Sequence, residues 1–370
     1  MATQKAFAIT AFEDRLSRFV SNHPGLCRVL GNLETKRFVD EIESRIIDRP
    51  IYVTGLARSG STILLECLAA HEQTAAHCYR DYPLVCTPLW WNRLVDRSGP
   101  VGAEPVERFH QDGIYITPDS PEAMEEILWM MFFPDCHLSS RSNVIGPETD
   151  CPAFEKFYPD HVRKILFLRR GSRYLAKANY HVTRLEYLQR IFPDARFVIP
   201  VRDPIHHVAS LSRQHRLFCA EEDKDRRVLN YMRVAGHFEF GLDRRPINTG
   251  CSKTVDRIRK SWKEGKEALG LALTWQSVYR YVIARLTANN NLRAATLIVD
   301  HDDFRRSPED NLARIYDHCG LAVDKDFLAN QSQKIFPVRE GNPSFFSKAD
   351  LDVIVAETLD VYEEIRSITP

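Results

Sequence analysis

Pro50-Ile51-Tyr52-Val53-Thr54-Gly55-Leu56-Ala57-Arg58-Ser59-Gly60-Ser61-Thr62-Ile63-Leu64-Leu65-Glu66-Cys67-Leu68-Ala69-Ala70 is the stretch on which the fold turns. Its first part is a short β-branched and aromatic run bounded by proline and glycine, which reads as a buried parallel strand. Its last part, from Ser61, is a mostly apolar helix. Strand, tight loop and helix make half of a βαβ unit. Gly55, Gly60 and Thr62 stand in register with the phosphate-loop pattern G-x-x-x-x-G-K-[ST], but position 61 is Ser where that pattern has Lys. The backbone logic survives the change. A glycine turn aims N–H groups at an anion seated on the next helix N-terminus. What is lost is the lysine that reaches the outer phosphates of a triphosphate. Arg58 instead offers a fork-shaped cation two residues before the second glycine. A plain glycine turn is the bland alternative, and the strand, the two glycines, the Arg and the hydroxyl residues together argue against it.

Outward from this loop, Lys164-Ile165-Leu166-Phe167-Leu168, Ala195 to Val201 and Ala295 to Val299 read as further strands. Arg202-Asp203-Pro204 follows the second, with Asp203 placed to cap a helix that Pro204 opens. The acidic cluster Asp300-His301-Asp302-Asp303 follows the third. Strands alternating with helices predict an α/β fold, a three-layer, mostly parallel sheet flanked by helices, with P-loop-like nucleotide-binding architecture. Two outer helices are expected over residues 8–48, so that residues 1–49 form an N-terminal helical segment packed on the core. Residues 50–345 form the α/β domain, with a helical insertion over about 212–270, and residues 346–370 a C-terminal helix. No internal repeat or low-complexity run appears.

Composition excludes some classes. The 370 residues carry 50 basic and 50 acidic side chains, which argues against binding nucleic acid or anionic membrane through bulk charge. Nine cysteines without a CxxC pair indicate neither a zinc site nor a complete disulfide framework, and reduced buried thiols are expected. No run reaches the eighteen or so apolar residues a bilayer crossing needs. The N-terminal stretch, with charges at Lys5, Glu13, Asp14 and Arg15, does not read as a signal peptide, and a cytoplasmic location is expected.

Arg58-Ser59-Gly60-Ser61-Thr62 after a strand resembles the 5′-phosphosulfate loop of the sulfotransferase family, whose donor is 3′-phosphoadenylyl sulfate. The family's second signature, an Arg at a strand end and a Ser eight positions later, is met by Arg202 and Ser210. Leu175 to His181, Arg184-Leu185 and Phe192 to Val198 resemble the stretch leading into it, although Ala178-Asn179 stands where Lys-Thr-Pro or Lys-Ser-Pro is usual. Ile298 to Phe304 resembles a Tyr-Glu-Asp-Leu segment. Val338-Arg339-Glu340-Gly341 resembles a late Arg-Lys-Gly loop, with Glu340 replacing Lys. The likeness spans about residues 50–345 and is closest to the bacterial-type group.

The resemblance implies transfer of a sulfuryl group from 3′-phosphoadenylyl sulfate (PAPS) to a hydroxyl or amine of a small-molecule, lipid or carbohydrate acceptor. The product nucleotide is 3′-phosphoadenosine 5′-phosphate (PAP), and no metal is required. It places Arg58, Ser59, Gly60, Ser61 and Thr62 around the 5′-phosphate, Arg202 and Ser210 on the 3′-phosphate, and Arg339 and Gly341 over the nucleotide. Arg58 and Lys177 are the candidates for stabilising charge on the leaving phosphate. The base is expected in His77-Cys78-Tyr79-Arg80-Asp81, with Asp81 favoured and His77 as alternative.

Other residues read as structural. His206-His207 suits capping or surface roles, because adjacent helical residues do not face one site. Ser120-Pro121-Glu122-Ala123 with Glu125-Glu126 reads as helix-start chemistry. Trp90-Trp91 and Trp129 to Phe133 read as core, and His237-Phe238-Glu239-Phe240 as a substrate segment. The competing readings are a catalytically silent nucleotide-binding scaffold and a P-loop kinase or NTPase; Ser61 speaks against the latter. The oligomeric state is open, homo-oligomer included.

Overall fold

Five parallel strands form the central sheet: β1 (Ile51–Val53), β2 (Thr74–Ala76), β3 (Arg173–Lys177), β4 (Arg196–Val201) and β5 (Thr296–Asp300). Their spatial order is β2, β3, β1, β4, β5. The computed structural model describes residues 9–97, 104–111, 113–335 and 346–368. Both faces of the sheet are covered, which is why its strands read as unbroken apolar runs. Ile51, Val53, Leu175, Val198, Leu297 and Val299 pack on one side with Leu64, Leu65, Leu68 and Tyr316. Tyr52, Tyr174, Ala176, Phe197, Ile199 and Ile298 pack on the other with Tyr158, Ile165, Trp275 and Tyr279. Each large apolar side chain so buried contributes about 1.5–3 kcal/mol.

The run Lys164 to Leu168 is not a strand but the end of the helix Pro152–Arg169. Phe154, Phe157, Tyr158, His161, Val162, Ile165 and Leu166 are buried at helical spacing along it. A five-residue apolar run cannot show its period, and Pro159 inside the helix reads as a breaker. The true strand, β3, is masked in sequence by the charges at its ends. Buried Arg173 donates to the carbonyls of Arg49, Cys319 and Gly320 at the sheet's far edge, and Lys177 stands at the other.

β1 lies between β3 and β4, pairing Val53 with Lys177 on one side and Val198 on the other. The chain leaves β1 in one direction to β2 and β3, and in the other through β4 to β5. Ligands of such sheets collect outside the strand ends at this switch point. Thr54, Lys177, Arg202 and Asp300 all lie along that edge. Over it lies a helical layer built from Pro204–Lys224, Arg226–Ala235, Ser252–Lys263 and Glu267–Ala288. The helices Ala11–Asn22 and Pro24–Arg37 pack against Arg226–Ala235 and Pro152–Arg169, and Lys348–Ser367 packs along Glu267–Ala288. Among the described residues no helix is long and apolar enough to cross a membrane, and all nine cysteines are free thiols.

Candidate active site

The loop after β1 holds three residues at positive φ: Gly55 at 144°, Arg58 at 69° and Gly60 at 103°. A Cβ on Gly60 would come within 2.7 Å of His301 Cδ2, so backbone geometry and close approach both require glycine there. The helix Ser61–Ala69 then starts with its first amides at the loop. Thr54 Oγ1 donates to the Ala178 carbonyl at 2.8 Å, tying the loop's start to the end of β3.

Buried His207 holds the loop from behind. Its Nδ1 accepts from the Trp275 indole at 3.1 Å, so Nε2 carries the proton and donates to the Ala57 carbonyl at 2.8 Å. Burial pushes this histidine down to about 3, keeping it neutral. His206 lies at the helix start beside Asp203, which accepts from the His206 amide at 3.0 Å. The two adjacent histidines thus have separate jobs.

The two anion signatures meet. Arg58 Nε lies 3.4 Å from Ser210 Oγ, and Arg202 Nη1 donates to the Arg58 carbonyl at 3.4 Å. Burial, then the neighbouring Arg58, push Arg202 down to about 10, which still leaves it cationic at neutral pH. Ser59 Oγ and Arg202 Nε are buried with no hydrogen-bond partner among the described residues. Two orphaned donors beside a helix N-terminus are the chemistry of an anion seat.

A cleft adjoins this seat. Ala57, Arg58, Ser61 and Thr62 form its floor, and Lys177 and Asn179 its sheet side. Tyr79, Glu122 and the segment Arg108 to His110 form one wall; Phe218, Tyr231, Met232, His237, Glu239 and Phe240 form the other. Arg108 Nη1 donates to Thr62 Oγ1 at 3.2 Å. Lys177 is pushed below the usual lysine range by burial, offset by Glu122 and Glu239 and reinforced by Arg108 and Arg58. Burial pushes the Glu122 carboxyl up, but Lys177, the Tyr79 hydroxyl, the Ala123 amide and Arg108 outweigh it and hold it ionised.

The segment expected to supply the base reaches the cleft through Tyr79, but its candidates Asp81 and His77 do not line it. Asp81 is wholly buried: its Oδ1 accepts from Arg169 Nη2 at 2.5 Å and Asn92 Nδ2 at 2.8 Å. Its Oδ2 meets His77 Nδ1 and the Cys78 amide, each at 3.0 Å. His77 Nε2 faces His161 Nε2 at 3.0 Å. Neither residue lines the cleft. Every lone pair that a base would use is already engaged inside the protein.

Glu122 and Arg108 are what sequence reading missed. Glu122 looked like helix-start chemistry, yet the helix begins only at Glu125 and Glu122 precedes it, facing Lys177 across the cleft. No local pattern marks Arg108. Trp129 is core, its ring tilted against Phe154 and Tyr158 and edge-on to Tyr187, while the segment His237 to Phe240 does reach the cleft through His237, Glu239 and Phe240. Arg339 and Gly341 lie outside the described residues.

Residues 50–227 match the sequence profile of the sulfotransferase family. That segment, just under half of the chain, is similar to the sulfotransferase family. The chain's fold is shared with sulfotransferase STF1 from Mycobacterium tuberculosis H37Rv, at a TM-score of 0.51 and 17% identity over 94% of this chain and 86% of that one. It is likewise shared with sulfotransferase STF9 from Mycobacterium avium, at a TM-score of 0.51 and 15% identity over 95% and 86%. No curated protein matches the chain in sequence. One group of potential metal ligands occurs among the described residues, Glu126, Cys136 and His137. Arg184 already donates twice to the Glu126 carboxylate, at 2.9 and 2.7 Å, and His137 meets it at 2.6 Å. Those contacts neutralise the carboxylate that a cation would need.

Proposed function

We propose that this protein moves a sulfuryl group from PAPS to a hydroxyl or amine of a small-molecule, lipid or carbohydrate acceptor, with Glu122 as the base. The observation that carries the donor assignment is the contact between Arg58, Ser210 and Arg202, beside which Ser59 Oγ and Arg202 Nε are buried donors with no acceptor among the described residues. The residues fit two phosphates, one on the loop Arg58 to Thr62 and one between Arg202 and Ser210. When bound, the phosphosulfate supplies an SO₃ group on a good leaving phosphate.

The chain's own groups do the rest by positioning and charge. Glu122 is ionised at the cleft wall and takes the acceptor's proton. The acceptor oxygen or nitrogen forms its bond to sulfur as the donor's bridging S–O bond breaks. Lys177 and Arg58 hold the negative charge that the departing electron pair brings to the phosphate. His207 and Thr54 keep the loop in place throughout, and Arg108 braces Thr62.

Calorimetric titration with PAP and with ATP tests the donor. Binding of PAP at least tenfold tighter than ATP is expected, and preference for ATP would overturn the assignment. Turnover of PAPS over an acceptor panel tests the chemistry: tight PAP binding without turnover of any acceptor would make the chain a silent scaffold.

A further inference from the structure

Resting on that reading, we infer that the acceptor has an apolar body and presents a hydrogen-bond donor, an ammonium or a second hydroxyl, to Glu239 and Asn179. Acceptors carrying a carboxylate at that end are rejected. Two further lining residues, Asn179 and Glu239, give the reason. Asn179, 5% exposed, lines the cleft and donates through Nδ2 to Glu239 Oε1 at 2.6 Å. A carboxylate only accepts, so the amide nitrogen must be the atom that faces it. Asn179 Oδ1 is therefore fixed as an acceptor, and it is buried with no partner among the described residues.

Glu239 keeps capacity as well. Its Oε2 lies 3.6 Å from His237 Nδ1, beyond hydrogen-bonding distance, and a carboxylate has about four lone-pair sites. Burial pushes this carboxyl up, but His237, Asn179 and its own amide outweigh it and hold it ionised. Two acceptors side by side in a cleft call for donors on the ligand. An unpaired acceptor that a ligand leaves buried costs affinity, and a second carboxylate there meets like charge.

Charge balance points the same way. The cations of the cleft, Arg58, Arg108 and Lys177, lie beside the loop where the donor's anionic groups are placed. Once these are answered by the nucleotide, the charges left facing the acceptor are the carboxylates Glu122 and Glu239. The remaining wall, Phe218, Tyr231, Met232 and Phe240, suits an apolar body.

The test uses three matched rings with PAP at saturation: trans-4-aminocyclohexanol, trans-1,4-cyclohexanediol and trans-4-hydroxycyclohexanecarboxylate. Calorimetry is expected to rank them in that order, with the carboxylate at least tenfold weaker than the amine. Glu239→Gln should bring amine and carboxylate to within threefold of each other, while PAP affinity stays within threefold. Equal binding of all three to the wild type, preference for the carboxylate, an unchanged ratio in Glu239→Gln, or failure of all three with PAP bound would each overturn the inference. PAP binding is read separately. Its loss would sink the donor reading first, and the acceptor inference with it.

Discussion

Two carboxylates lie on opposite sides of one short stretch of wall, and they have opposite chemistry. Asp81 ends the 3₁₀ turn Tyr79–Asp81, with Arg169, Asn92, His77 and the Cys78 amide on its two oxygens. Glu122, whose amide donates to the His77 carbonyl at 2.9 Å, opens onto the cleft and faces Lys177. Both are ionised. Glu122 is the one of the two that lines the cleft. Charge and residue type therefore do not select a base; occupancy of its oxygens does.

The widest separation between the two regions is expected from paired substitutions. Glu122→Gln should lower kcat by about 10²–10⁴ in steady-state assays, the usual worth of a positioned base, while denaturant midpoints stay near wild type. Asp81→Asn should do the reverse, costing about 3–5 kcal/mol of stability by stranding Arg169 and His77, with turnover per folded molecule within about threefold. Reversed outcomes would return the base to the turn.

Acid sharpens the same contrast. Burial pushes the Asp81 carboxyl up, but His77, Arg169 and Asn92 outweigh it and hold it well below the carboxylate range. Its stabilising share is therefore present above the unfolded value of about 4 and is lost as pH falls below that. Between pH 5 and 3 the wild type should lose more stability than Asp81→Asn. Equal pH slopes in urea titrations would remove Asp81 from this role.

Lys177→Gln sharpens the cleft side. If Lys177 answers charge that develops only as the bond breaks, kcat should fall about 10²-fold with PAP affinity changed less than about threefold. Equal losses in both would make Lys177 a simple binding cation. Arg202→Ala should weaken PAP by about 1.5–3 kcal/mol, the worth of a charge-assisted contact, and leave adenosine 5′-phosphate nearly unchanged. Equal weakening of the two nucleotides would mark Arg202 as structural.

The smallest effect concerns His207, which resembles Asp81 in having its polar atoms engaged by the protein. Its folded pKa of about 3 lies below the unfolded value of about 6.5, so the unfolded chain binds the proton first and stability falls as pH drops below 6.5. From pH 6.5 to 5.5 the share of this one group is about 1 kcal/mol. His207→Gln should lessen the wild-type slope in that window, and raise KM for the donor more than it lowers kcat. An unchanged slope would place His207 outside the loop's support.

The sequence by itself determined the parts whose geometry closes within a few residues. A strand, glycines at positive φ, Arg58 and the first hydroxyls of a helix specify the loop locally, because backbone sterics and helix-end amides need no distant partner. The Arg202-to-Ser210 spacing and the Asp203 cap are local in the same way. Strand alternation found β1, β4 and β5 but missed β2 and β3, and it took Lys164 to Leu168 for a strand although that run belongs to a helix whose period only a longer window reveals. Tertiary structure decided the rest. Glu122, Arg108, Lys177 and Glu239 come from separate segments, brought to one cleft only by the sheet order and the helical layer. Whether Asp81 or Glu122 keeps free lone pairs depends on Arg169 and Asn92, which lie 88 and 11 residues from Asp81 in the chain. Hydrogen-bond occupancy is a property of packed neighbours, and a linear pattern does not contain it.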